Sequence, residues 1–215
     1  MQLQSIKATF KKVTYELTII ILGVLIALGA NAWYSNYLQQ QQANKLLTNL
    51  NYELTKNVES LEEVIDSYTK NHQKVKGLEA KLEQGESLES EDITFTFHML
   101  RVRRGAWSFA KNRDEVNTLP IELLIGINMA STYNQNAEVM VSDFIFKNHD
   151  EIIKLRADDK LEEYLDVLSR ELAQAVFTLK LAHISTKKTL EKINEYQETG
   201  ELKADPQEFI LQSEM

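Results

Sequence analysis

Residues 13–33, VTYELTIIILGVLIALGANAW, are too apolar to be left in water, and this constrains the chain more than any other feature. As a helix the run spans about 31 Å at about 1.5 Å per residue, which matches the hydrocarbon thickness of one bilayer. Lys7, Lys11 and Lys12 precede it, and Lys45 is the first cation after it. The positive-inside rule therefore predicts a cytoplasmic N-terminus and an exported remainder. Trp33, Tyr34 and Tyr37 stand where an outer aromatic belt would lie.

A basic start, an apolar core from Leu17 to Leu28 and the triplet Ala30-Asn31-Ala32 also describe a cleavable signal peptide. Two features favour retention. The apolar run continues into Trp33 and Tyr34 instead of a polar mature start, and helix-forming sequence follows without a break. Both readings export the rest of the chain. Within the anchor, Glu16, Gly23, Ala27 and Ala30 share one helical face, with Asn31 beside them. Small residues allow close approach of a second helix, and a polar group in lipid seeks a partner, so this stripe is a candidate helix–helix contact. The alternative is that Glu16 snorkels to the headgroups and the small residues are incidental.

The chain carries 24 Lys and Arg against 32 Asp and Glu, a net charge of −8, which argues against a nucleic-acid binder. With no Cys, disulfides, thiolate metal sites and thiol nucleophiles are excluded. Only 7 Gly and 2 Pro suit long helices better than a turn-rich sheet protein. The expected class is all-α: a cytoplasmic N-terminus over 1–12, a transmembrane helix over 13–34 running on into an extracytoplasmic four-helix-type bundle over 35–200, and a C-terminal tail over 201–215.

From Leu47 a heptad places Leu47, Leu54, Leu61, Tyr68, Val75 and Leu82 in one column and Leu50, Asn57, Val64, Asn71 and Leu78 in another. Val58 and Ile65 widen the stripe, which suits a helix packed in a bundle better than a strict coiled coil. This helix is expected to reach Gln84 and stop at Gly85. Asn57 and Asn71 either set register within the seam or reach solvent or a buried water. An acidic turn over 79–92 follows, with Ser90 as an N-cap. The stretch Ile93-Thr-Phe-Thr-Phe-His-Met99 alternates like a strand. No second strand-like run exists to pair with it, so a helix is expected over 91–111 with Ile93, Phe97, Leu100 and Trp107 inward. Pro120 at a first helical position opens a third helix through Leu123, Leu124, Ile127, Ala130, Ala137, Val141, Phe144 and Ile152, with Asn134 to Asn136 marking a place for a bend. Asp159 and Glu162 resemble a capping box for a fourth, with Leu161, Leu165, Leu168, Leu172, Leu179 and Ile193 inward, ended by Gly200 and Pro206.

His72, His98, His149 and His183 fall in no recognised ligand frame, and the chain holds no phosphate loop, nucleophile elbow or zincin motif. Neither an enzyme nor a bound metal or cofactor is expected. Paired carboxylates such as Asp158 with Asp159 and Glu162 with Glu163 stand at a helix start, where they cap. One basic run interrupts the acidic background, Arg101, Arg103, Arg104, Lys111 and Arg113, with Trp107 and Phe109 between them. It is a candidate contact for an anion, a lipid headgroup or an acidic partner. The simpler expectation is that it neutralises the acidic turn over 79–92, with Trp107 in the core.

The segment Gly23-Val-Leu-Ile-Ala-Leu-Gly-Ala-Asn-Ala-Trp33 resembles the anchor of a large group of uncharacterised bacterial single-pass inner-membrane proteins. Their anchors usually carry an acidic residue where Glu16 stands and run directly into a charged helix. A second resemblance is Ala106-Trp107, then Leu119-Pro120-Ile-Glu-Leu-Leu124 and Tyr133. The departure is the run Gln39 to Gln42, where those proteins carry charge. The resemblance implies a retained anchor in a bacterial inner membrane and a periplasmic domain, and it implies no activity. The function expected is a membrane-anchored interaction or scaffold subunit that contacts a copy of itself or another membrane protein. The alternative is a ligand-binding sensory module, which would need a partner to carry its output.

Overall fold

Two interruptions shape the path of the chain, a glycine at the far end of a very long first helix and an extended return that no helix could make. The computed structural model describes residues 2–86, 88, 93–155 and 161–202. Side chains are described from residue 15 onward, apart from 114–115, 149–155 and 161–163. Lys7, Lys11, Lys12, Ser90, His149, Ile152, Asp158, Asp159, Leu161, Glu162, Glu163 and Pro206 lie outside the described residues or side chains. The order is α1 (Gln2–Glu83), α2 (Gly105–Ala110), a 3-10 turn (Asp114–Thr118), α3 (Ile121–Leu155) and α4 (Leu161–Thr199). All regular structure among the described residues is helical.

The first helix runs for 82 residues without a break, so the apolar segment and the heptad segment are one rod. It is long and apolar enough near its N-terminus to cross a membrane. Every residue from Tyr15 to Leu38 is exposed or nearly so, and Ala43 is the first buried one. The rod ends as the sequence suggests, in a Schellman motif. The Glu86 N–H reaches the Lys81 carbonyl at 3.0 Å and the Gly85 N–H reaches Leu82 at 2.9 Å. Gly85 sits at φ +78, a left-handed conformation that side-chain-bearing residues disfavour.

The expected helix over 91–111 is not formed. Residues 94–104 take neither helical nor paired-strand structure, and within the expected range only Gly105–Ala110 is helical among the described residues. The reason is reach. This strap descends antiparallel to α1, with Lys74 bonding the Thr94 carbonyl, Asn71 that of Thr96, Asn57 that of Arg103, and Glu53 meeting the Ala106 N–H. From Lys74 to Glu53 is 74 − 53 = 21 residues of α1, about 31 Å, covered by 106 − 94 = 12 residues of strap at about 2.6 Å each, against about 1.5 Å in a helix. Ile93, Leu100 and Trp107 are nevertheless buried and Phe97 half-buried, as the side-chain pattern requires.

α4 packs against both α1 and α3, while the backbones of α1 and α3 scarcely approach each other. The strap bridges that gap, bonding α1 on one side and Glu138 of α3 on the other. The described residues therefore hold three long helices, α1, α3 and α4, with the strap between them, not four long helices. Leu119 is extended before Pro120, whose carbonyl accepts from Leu123 and Leu124, so the proline caps α3 one residue before its first helical position. α3 continues unbroken through Asn134–Asn136, and α4 ends at Gly200, at φ +74.

Two apolar clusters make up the core. The upper one gathers Leu61, Val64, Tyr68, Val75, Val141, Phe144, Leu165, Leu168, Leu172 and Leu179. The lower one gathers Ala43, Leu47, Leu50, Leu54, Trp107, Leu119, Leu123, Ile127 and Ile193. Polar side chains separate them on every helix. Asn57 stands between Leu54 and Leu61, Asn134 between Ala130 and Ala137, and Thr186 with Thr189 between Ala182 and Ile193.

Candidate functional site

The two seam asparagines have a specific task, and it is neither solvent contact nor pairing with a second coiled-coil strand. A strand without a neighbour must satisfy its backbone groups by other means. Asn57, 1% exposed, donates to the Arg103 carbonyl at 2.9 Å and accepts from the Arg103 N–H at 2.7 Å. Asn71 and Ser67 both donate to the Thr96 carbonyl, at 2.7 and 2.9 Å. Glu53 accepts the Ala106 N–H at 2.8 Å, and Glu138 accepts the Val102 N–H at 3.2 Å. The heptad seam is thus consumed within the chain.

The basic run does not converge. Arg104 pairs with Glu138 at 3.0 Å, and Arg103 lies over the Tyr52 ring at 5.6 Å. Arg113 stacks on Phe109 at 4.2 Å, while Arg101 and Lys111 are exposed and Trp107 is in the lower core. Of the acidic turn, Glu79 pairs with Lys76 at 3.1 Å while Arg104 turns to Glu138 of α3, and Glu89, Glu91 and Asp92 lie outside the described residues. Arg103 and Arg104 line an open groove of about 490 Å³ together with Asn49, Tyr52, Glu53, Gly105 and Ala106. Glu53 and Arg104 in its wall are already bonded to Ala106 and Glu138.

Across the polar layer, Thr186 donates to Asn134 at 2.9 Å and Thr189 donates to the Gly126 carbonyl at 3.0 Å. The Asn134 amide nitrogen and the Tyr68 hydroxyl are buried with no hydrogen-bond partner among the described residues. Tyr68 packs among Phe97 and Phe144 at 5.4 and 5.2 Å between centroids, and burial raises its pKa well above the ordinary phenol value. His183 meets Glu62 at 3.0 Å across α4 and α1. Among the described residues no three His, Asp or Glu side chains converge on a metal position.

Two of the surfaces open to a partner lie in the anchor and on α3. In the apolar half of α1, Gly23, Ala27, Ala30 and Asn31 lie on exposed helix with Glu16, which holds an interaction of its own, and a Cβ added at Gly23 would meet nothing within 4 Å. On α3, Ile121, Ile125, Met129, Val139 and Phe146 are 46–73% exposed and fall within an arc of about 100°, opposite the buried face. That second stripe was available in the sequence as the complement of the inward positions. Glu53 and Glu138 gave no signal, because their partners are backbone atoms of a strap that composition does not reveal. Compared with protein-family models, with characterised proteins and with solved structures, the chain matches none.

Proposed function

We propose that this chain is a membrane-anchored interaction subunit, tethered in a bacterial inner membrane through residues 13–34 and presenting a helical bundle in the periplasm to another membrane protein or to a copy of itself. The observation that carries the reading is the solvent-facing stripe on α3. Five large apolar side chains lie exposed on one helical arc, interspersed with the exposed polar residues Asn128, Thr132, Asn136, Asp143 and Lys147, and a mixed apolar and polar stripe of this kind suits a non-obligate contact surface. The exposed anchor, with Glu16, Gly23 and Asn31 on it, offers a second contact within lipid. The orientation rests on Lys7, Lys11 and Lys12 preceding the apolar run.

The heptad seam drops out of this reading, because Asn57 and its neighbours are occupied by the strap and by α4. A sensory role draws support from the groove beside Arg103. It is the weaker reading, since that groove is open and Glu53 and Arg104 already hold internal partners.

The test is photo-crosslinking in native membranes from positions Val139 and Phe146, with Gln73 on α1 as reference. A discrete adduct from the α3 positions alone is the expected result. Equal, diffuse labelling from all three contradicts the proposal. Val139→Ser with Phe146→Ser should remove the adduct while leaving thermal stability unchanged, since both side chains are already in water.

A further inference from the structure

The outer face of α4 carries a pattern that the fold does not use. Its inner positions Leu172, Leu179, Ala182, Thr186 and Ile193 are buried, and on the opposite side Phe177, Leu181 and Ile184 stand 63%, 39% and 51% exposed. Steps of four and three residues place these three within an arc of about 60°. That is the spacing of the anchors by which one helix receives another.

Charge gives this face its sign. Between Leu172 and Leu190 the helix holds no acidic residue, in a chain of net charge −8. Lys180, Lys187 and Lys188 are exposed beside the apolar residues, and among the described residues none of the three holds an ion pair. The acids of the neighbouring α1 do not serve them, because Glu59, Glu62 and Asp66 are taken by Lys56, His183 and Lys70 at 2.6, 3.0 and 2.6 Å.

Height along the rod decides between lipid and protein as the occupant. His183 meets Glu62 at 3.0 Å, so the face stands level with a point on α1 about 37 Å beyond Tyr37, whose ring stacks with Trp33 where the rod would leave lipid. Headgroups do not reach that far. A second copy of the same face would set lysine against lysine. We infer that Phe177, Leu181 and Ile184, framed by Lys180, Lys187 and Lys188, dock an acidic amphipathic helix of a partner protein. The apolar anchors supply contact area, and the lysines select for carboxylates flanking the partner's own apolar stripe. The inference rests on the chain being an interaction subunit and does not depend on the stripe of α3 being occupied.

The full chain in phosphatidylcholine nanodiscs is titrated into two labelled helical peptides that share one leucine spine and carry either Glu or Lys beside it, with binding read by anisotropy. The acidic peptide should bind saturably and the basic one should not, and the affinity should fall about tenfold between about 0.05 and about 0.3 M salt. Combined replacement Lys180→Glu, Lys187→Glu and Lys188→Glu should exchange the preference, so that the basic peptide binds instead. Phe177→Ser with Leu181→Ser should abolish binding of the acidic peptide at an unchanged melting temperature, since both side chains are exposed. Equal binding of the two peptides, or a preference that survives the charge reversal, overturns the inference. In native membranes a photo-crosslinker at Ile184 should give an adduct that the charge-reversed chain loses. An adduct of two copies of the chain assigns the face to self-association and overturns the inference. An adduct from Val139 with none from Ile184 overturns it and leaves the interaction reading standing, whereas silence at both positions overturns both.

Discussion

The two halves of α1 carry similar numbers of large aliphatic residues, ten between Tyr15 and Leu38 and eleven between Ala43 and Glu83, and have opposite fates. Between Tyr15 and Leu38 the apolar residues surround the helix and all of them are exposed. Between Ala43 and Glu83 they keep to a stripe, and the columns led by Leu47 and Leu50 are buried by the strap and by α4. Periodicity is what distinguishes a segment whose burial must come from an external apolar phase from one that recruits its own chain. The rod passes from one regime to the other without a hinge, so its exposed apolar half and its buried half share one helix.

Breaking the first half should leave the second untouched. Leu22→Asp with Ile26→Asp opposes membrane insertion by about 6 kcal/mol, and the protein should become extractable at alkaline pH while the bundle melts at its usual temperature. Loss of the thermal transition in this variant would show that the bundle depends on the bilayer. The reciprocal change, Leu61→Ala at a fully buried seam position, should cost the bundle about 3 kcal/mol and leave membrane extraction unchanged. Calorimetry or chemical denaturation in detergent would read the difference.

A sharper comparison separates the seam's apolar residues from its polar ones. Asn57→Ala strips both backbone groups of Arg103 of their partner and should cost about 2 kcal/mol, with amide exchange accelerated across 100–106. Unchanged exchange there would mean that the strap is held by its apolar side chains alone. Gly85→Ala should cost about 1 kcal/mol through the left-handed backbone at the end of the rod, since no side chain crowds the site.

The smallest effect at neutral pH belongs to Tyr68. Its hydroxyl is buried with no partner among the described residues, and burial raises its pKa from an ordinary 10.0. The unfolded chain therefore releases this proton at a lower pH than the folded one. The neutral phenol's contribution is complete below pH 10 and is lost as pH rises further. Tyr68→Phe should be nearly neutral at pH 7 and more stable than the parent in alkali. A variant that loses stability at pH 7 would point to a hydrogen bond made by the hydroxyl.

Much of this architecture could be read from the chain. The apolar run, the end of α1 at Gly85, the heptad columns and the inner faces of α3 and α4 all follow from spacing and from two glycines. The failure at 91–111 is instructive because the alternation from Ile93 to Met99 was a true sign of extended backbone. The lack of a pairing strand argues against that sign, and the structure shows that a strand partner is not needed. Asn57, Asn71, Ser67 and Glu53 supply the missing hydrogen bonds from side chains, an arrangement that no local pattern encodes because donor and acceptor lie 25 to 53 residues apart. The basic run is visible in the sequence, but its division among Tyr52, Glu138 and Phe109 depends on the path of the strap.

The continuity of the rod across the membrane boundary is best tested by a nitroxide scan along α1 in vesicles, recording collisions with oxygen and with a water-soluble nickel complex. Oxygen access should dominate from Tyr15 to Trp33, nickel access from Ser35 to Gln42, and both should fall at Leu47, Leu50, Leu54 and Leu61 with helical periodicity. Nickel access at Ile21 to Leu28, or loss of helical periodicity between Trp33 and Leu47, would contradict a single helix that leaves lipid and becomes the spine of the bundle.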